Sequence, residues 1–133
     1  MPNSGRRAPA SRTLVAVADD DEVVRESLAA VIEAHGFHVL AFASGRELLD
    51  GHAAERADCI LLDHHMPEIN GLEVLRTLRD RGDSTPAIIV TGVPDNTLHA
   101  KARMLGAFAV LFKPASPAEL MIAVHGALAM SKR

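Results

Sequence analysis

Four short stretches of this 133-residue chain carry side chains that could do chemistry, and each comes directly after an apolar run. Asp19-Asp20-Asp21 follows residues 14–18 (LVAVA), and Asp63 follows 59–62 (CILL). Thr91-Gly92 follows 87–90 (AIIV), and Lys113-Pro114 ends the run 108–112 (FAVLF). Carboxylates gathered at one place repel. Two unit charges about 4 Å apart cost about 4 kcal/mol at an effective dielectric of 20, and unrelieved crowding raises at least one pKa. A hard divalent cation relieves it, and oxygen donors without a thiolate point to Mg2+ or Mn2+. Mg2+ keeps open or water-filled positions that suit phosphoryl oxygens. The other parts then fit phosphoryl transfer. A carboxylate can attack phosphorus and form an acyl phosphate. A cation and a lysine can neutralise the equatorial oxygens, and a threonine hydroxyl can donate to one of them. This reading makes Asp63 the nucleophile, Asp19 and Asp20 the metal acids, Lys113 the cationic clamp and Thr91 the hydroxyl that senses the phosphoryl group.

Such a constellation needs rigid posts, and the apolar pattern supplies them. The runs at 14–18, 38–42, 59–62, 87–90 and 108–112 are short, continuous and apolar, as parallel strands buried on both faces require. Helical stripes lie between them: Val24, Leu28 and Ile32; Leu72, Leu75 and Leu78 with Val74; Leu120, Val124 and Leu128. A weaker one over 95–105 has only Leu98, Ala102 and Leu105. Ser44, Asn70 and Ser116 each stand three residues before a Glu, the spacing of a capping box. Pro117 suits a first helical position, and Gly36, Gly82 and Gly106 suit left-handed C′ positions. Alternation at this spacing predicts a (βα)5 α/β domain, a parallel sheet with helices on both faces and right-handed crossovers. Sites in such sheets form outside the carboxyl ends of the strands. Four of the five strand ends carry the residues above, so they converge on one edge.

Composition narrows the function. The net charge of −3 and a pI near 6.1 argue against direct nucleic-acid binding. The single cysteine, Cys59, opens a buried strand and cannot form an internal disulfide; inert packing is expected of it. No run approaches the ~20 apolar residues of a membrane span, and residues 1–12 lack the apolar centre of a signal peptide. They read as a disordered Pro-, Ser- and Arg-bearing lead, with one domain over 13–131. A reducing, cytoplasmic location follows.

With these pieces in hand, the sequence resembles the receiver domain of two-component response regulators over residues 13–130. The matching segments are VAVADDDEVVRESL, ILLDHHMPEINGLEVL, AIIVTG and FKP. Each alone is weak; all four in order, each closing a strand, are specific. The resemblance implies the flavodoxin-like doubly wound order 2-1-3-4-5 and Mg2+-dependent phosphorylation of Asp63, with Asp19 and Asp20 as the acid pair. It implies that His65, two residues after the phosphoacceptor, ligates the metal through its backbone carbonyl, and that the Lys113–Pro114 bond is cis. The donor would be a sensor histidine kinase or a histidine phosphotransfer protein. The output partner is unnamed, and the face made by helix 4, strand 5 and helix 5 could support a phosphorylation-dependent homodimer. One departure stands out. Receivers commonly carry Phe or Tyr three residues before the Lys, where it turns inward as the threonine moves. That position is Val110, whose small β-branched side chain cannot swing a ring. The usual switch from Thr91 to an aromatic is therefore in doubt.

Simpler roles suit other residues. Asp21 and Glu22 suit the positive end of the first helix. His64 and His65 are adjacent, a poor arrangement for one metal ion; they read as surface histidines that tune water access. Met104, Met121 and Met130 read as packing. The expected function is thus a regulatory phosphoacceptor that catalyses only its own phosphorylation and dephosphorylation. Lys132-Arg133 closes the chain just past the last helix, which fits a lone receiver and a piece of a longer protein equally. The alternatives are a receiver-like docking module independent of phosphate, and a Mg2+-dependent aspartyl-phosphate phosphatase. Phosphatases of that kind generally place a second acid two residues after the nucleophile, where this chain has His65.

Overall fold

Each apolar run forms a strand because branched aliphatic side chains suit a pleated surface covered on both sides. The strands are β1 (Leu14–Ala18), β2 (His38–Phe42), β3 (Cys59–Asp63), β4 (Ala87–Thr91) and β5 (Ala109–Phe112). The structure, a computed structural model, describes residues 13–131 except Pro94; the lead expected over 1–12 lies outside the described residues. All four strand pairings are parallel, in the order β2-β1-β3-β4-β5. The expected ends differ slightly. β3 and β4 each run one residue further than the apolar runs, so Asp63 and Thr91 are themselves the last strand residues, and β5 starts at Ala109.

Five helices follow the strands: α1 (Glu22–Ala34), α2 (Gly45–Asp50), α3 (Gly71–Asp80), α4 (Asn96–Met104) and α5 (Pro117–Ser131), with a short 3-10 turn at Ala53–Glu55. Each face of the sheet carries its own aliphatic core. Val15, Val17, Cys59, Leu61, Ile88 and Val90 pack against Ile32 of α1 and Leu120, Met121 and Val124 of α5. Ala16, Ala18, Ile60, Leu62, Ala87 and Ile89 pack against α2, α3 and α4. Alternate strand residues thus enter opposite cores, as a period of two demands.

The helix boundaries follow their caps. Asn70 and Glu73 form a reciprocal capping box, each bond 2.8 Å, and Ser116 and Glu119 do the same at 3.0 Å. At α2 the Ser44 hydroxyl caps Glu47 N, but the Glu47 carboxylate reaches back to Ala43 N instead. Gly36, Gly82 and Gly106 have the positive φ expected of them. The weakest helix of the sequence pattern, α4, has a cap that the pattern did not flag: Asp95 accepts from Thr97 N and Leu98 N. Met121 is buried, as expected; Met104 and Met130 are exposed, 87% and 66%, and so are not core residues.

Where α3 begins, helix and sheet meet backbone to backbone. A Cβ on Gly71 would lie 2.7 Å from the Asp63 carbonyl oxygen and 3.0 Å from His64 Cα, and Gly71 N donates to His64 O at 3.1 Å. The helix thus rests directly on the backbone of the last residue of β3. Gly71→Ala must push the two apart. We expect it to cost about 1–3 kcal/mol, seen as a lower urea midpoint with unchanged slope. An unaltered midpoint would mean that this contact yields freely.

Candidate functional site

Side-chain alternation decides which strand ends meet. On β1, Val15 and Val17 enter the α1/α5 core, so Asp19 continues that row; on β3, Cys59 and Leu61 do so, and Asp63 follows. On β5, Ala109 and Leu111 face the same way, and Lys113 comes next. Asp19, Asp63 and Lys113 therefore share one side of the sheet edge. Thr91 continues the other row, after Ala87 and Ile89 of the α2/α3/α4 core. Parity alone could have been read from the sequence; the absolute facing needed the helices.

The predicted residues come together. Lys113 Nζ donates to Asp63 Oδ1 at 3.0 Å and to Asp19 Oδ2 at 3.3 Å. Asp19 and Asp63 are buried, and the lysine is half-buried. Asp20 is exposed, yet carboxylate oxygens of Asp19, Asp20 and Asp63 all lie within 4.8 Å of one another. Asp19 is fixed from below as well: its Oδ1 accepts from Asp21 N at 2.9 Å, while Asp21 itself caps α1 through Val24 N. The Asp19 carbonyl accepts from the Arg25 guanidinium at 2.8 Å. The Lys113–Pro114 peptide is cis, as the resemblance implied.

Charge explains how this cluster could hold a metal. Three carboxylates and one ammonium leave a formal excess of two negative charges, which one divalent cation balances. The donors are all oxygen, which suits a hard cation. Burial raises the Asp63 pKa, and the nearby Asp19 adds to the rise; the hydrogen bond and charge of Lys113 oppose it without cancelling it. For Lys113, burial pulls the other way, but pairing with Asp63 and Asp19 outweighs it and holds the ammonium above its ordinary value. Cys59 is inert as expected: burial, with Asp58 beside it, pushes its thiol up to about 12.

The histidine pair departs from expectation only in part: His65 is exposed, though its ring is bonded, whereas His64 is not a surface group. His64 is half-buried, and its Nδ1 has no hydrogen-bond partner; burial, with His65 beside it, lowers its pKa. The His65 ring reaches Thr91, its Nε2 2.9 Å from Oγ1, and its backbone N donates to Asp63 Oδ1 at 3.3 Å. Nothing in the local sequence signals that cross-strand contact; only the sheet order, which seats β4 beside β3, brings the two together. Val110 is half-buried and packs against the α2/α3/α4 core, two residues before Phe112, which pairs with Thr91.

The raised pKa of Asp63 has a stability consequence. The folded state holds that proton to higher pH than the unfolded chain does. The unfavourable contribution is absent below the ordinary aspartate range, grows as pH rises through it, and is complete above the folded pKa. Asp63→Asn should therefore be more stable than the parent at pH 7, with the gap closing as pH falls into that range. Urea unfolding of both proteins across pH 3.5–7 checks this, and a pH-independent gap would refute the buried-charge account.

Comparison with known proteins gives the family. The model of the response regulator receiver domain matches residues 15–125. The transcriptional regulatory protein FixJ of Azorhizobium caulinodans is 40% identical over 117 residues, 88% of this chain and 56% of that protein. The response regulator MprA of Mycolicibacterium vanbaalenii is 37% identical over 114 residues, 86% of this chain and 49% of that one. The chain thus spans about half the length of the curated relatives it matches. The receiver domain of the Francisella response regulator 1452 superposes with a TM-score of 0.84 at 28% identity, covering 91% of this chain and all of that one, 100%. A receiver domain protein from Clostridium thermocellum gives 0.82 at 28% identity, covering 89% and 95%. With a family model matching most of its length and a parallel sheet shared with these structures, the chain belongs to the family of response regulator receiver domains.

Proposed function

We propose that this domain accepts a phosphoryl group on Asp63, in a Mg2+-dependent reaction, from a phosphohistidine on a sensor kinase or histidine phosphotransfer protein. The observation that carries this reading is Lys113 Nζ bonded at once to Asp63 and Asp19 inside a three-carboxylate cluster. An oxygen of Asp63 attacks phosphorus, the bond from phosphorus to the donor imidazole breaks, and the imidazole leaves with the electron pair. The product on this chain is an acyl phosphate. Asp63 loses its own charge in that step, so Lys113, already within reach, turns to the incoming phosphoryl oxygens. Thr91, buried at the next strand end, donates its hydroxyl proton to another. Asp19, Asp20, Asp63 and the backbone carbonyl of His65 would hold Mg2+, which supplies charge neutralisation to the phosphoryl group. Hydrolysis of the acyl phosphate resets the domain, so it acts as a switch and not as a turnover enzyme.

The output is a change in partner binding in the cytoplasm. The face of α4, β5 and α5 suits it, since Met104, Phe112 and Ile122 expose apolar surface on those elements, and a phosphorylation-dependent homodimer could use the same face. No helix among the described residues is long and apolar enough to cross a membrane.

A small acyl-phosphate donor with Mg2+ should add one phosphoryl group to the parent protein and none to Asp63→Asn, with hydroxylamine removing it. Intact-mass spectrometry reads this directly. A phosphoryl group retained on Asp63→Asn would move the nucleophile elsewhere.

A further inference from the structure

The hydroxyl proton of Thr91 is already committed. Its hydroxyl offers one proton and two lone pairs. Three partners use them: His65 Nε2 at 2.9 Å, Val93 N at 3.2 Å and Val93 O at 3.3 Å. The proton is committed for either tautomer of the imidazole, and all three contacts are satisfied together when Nε2 donates. If Nε2 accepts, the Thr91 proton is held by His65. If Nε2 donates, it and Val93 N occupy both lone pairs and the proton goes to Val93 O. The shortest of the three bonds is the one to His65, and it joins the ends of β3 and β4 across the site.

We infer that the His65 imidazole is a latch that holds Thr91 in its resting position and must let go when Thr91 turns to a bound phosphoryl group. The signal then leaves the site through residues 64–70. This deepens the phosphoacceptor reading and rests on it. Val110 provides no ring for Thr91 to displace; the ring in contact with Thr91 is His65, on the β3–α3 connection. That connection is poised to transmit a change. The His64 and His65 rings meet edge to face at 5.0 Å, and His64 lies in electrostatic reach of Asp95, the cap of α4, and Glu73, in the first turn of α3. Glu68, in the same segment, holds a left-handed φ of 69°. A released His65 thus acts on the N-terminal ends of the two helices beside the site. His65 is a positioning residue here, because it acts through Thr91.

The test is a double-mutant cycle read by the affinity of fluoroberyllate in saturating Mg2+, with the whole chain. His65→Ala keeps the backbone carbonyl and removes only the ring. It should bind fluoroberyllate about three- to tenfold more tightly, the size of one hydrogen bond no longer forfeited on binding. Thr91→Ala should bind more weakly, and adding His65→Ala to it should change nothing further. In the metal-free parent, the His65 imidazole nitrogen resonances should shift when Thr91 becomes Ala, which reports the bond itself, while the cycle separates a latch from a merely structural contact. Weaker or unchanged binding by His65→Ala, an equal effect in both backgrounds, or an unmoved resonance overturns the latch while leaving the phosphoacceptor reading standing. A parent protein that fails to bind fluoroberyllate overturns that reading, and the latch with it.

Discussion

The Lys113 ammonium between Asp63 and Asp19 is the contact on which the arrangement of this site depends. Without it, two buried carboxylates on adjacent strands would face each other across a strand spacing of about 4.8 Å, and the lower dielectric of the interior would magnify their repulsion. The ammonium arrives from β5, two strands away from β3 in the sheet, so three strand ends must be in register for the bonds at 3.0 and 3.3 Å to form. The sheet order is thus a condition of the electrostatics. β4 is interposed between β3 and β5, and its final residue, Thr91, is uncharged and belongs to the opposite row, which leaves room for Lys113 to reach across.

Two independent cores make that register rigid. Because α1 and α5 cover one face and α2, α3 and α4 the other, sliding any strand by one residue would turn its aliphatic row out of one core and into the other. The chemistry at the strand tips inherits the precision of the packing beneath it. Further ties act at the opposite end of the sheet. The Arg79 guanidinium spans the carbonyls of Leu105, Asp83 and Thr85 at 2.7 to 3.0 Å, binding the end of α3 to the approach to β4 and to the end of α4.

How much of this could be read in the sequence depends on the range of the interaction. Strand ends, capping serines and the C′ glycines are local, and the residues that announce them lie within a turn of where they act. The acid pair, Asp63, Thr91 and Lys113 were legible because each closes an apolar run, and a parallel sheet sends all such ends to one edge. The His65 ring on Thr91 was not legible. It depends on a loop conformation and on β4 lying next to β3, neither of which leaves a periodic mark. Arg79 escaped for the same reason: on a helix surface an arginine reads as solvated, and only the fold shows that its head lies among carbonyls. Burial lowers its pKa despite Asp83 nearby, and its hydrogen bonds go to carbonyl oxygens, so the tie works by hydrogen bonding more than by ion pairing.

The same burial that makes Asp63 costly also suits it to its task. A carboxylate with an ordinary pKa is a weak nucleophile, and one held in partial desolvation is less stabilised before it reacts. The expense is confined to the ionised state: in the proposed reaction the carboxylate becomes an acyl phosphate, and its negative charge would pass to the phosphoryl oxygens. Lys113 is half-exposed, so it can follow that charge, whereas Asp19, at 0% exposure and bonded to Asp21 N, stays fixed. The site therefore divides into a buried acid and a half-exposed cation on one row, with a hydroxyl whose proton is committed on the other. Under the proposed phosphorylation, a bound phosphoryl group would recast the partners of the last two and leave the first in place, so that a change of one covalent bond would become a change in the contacts at two strand ends.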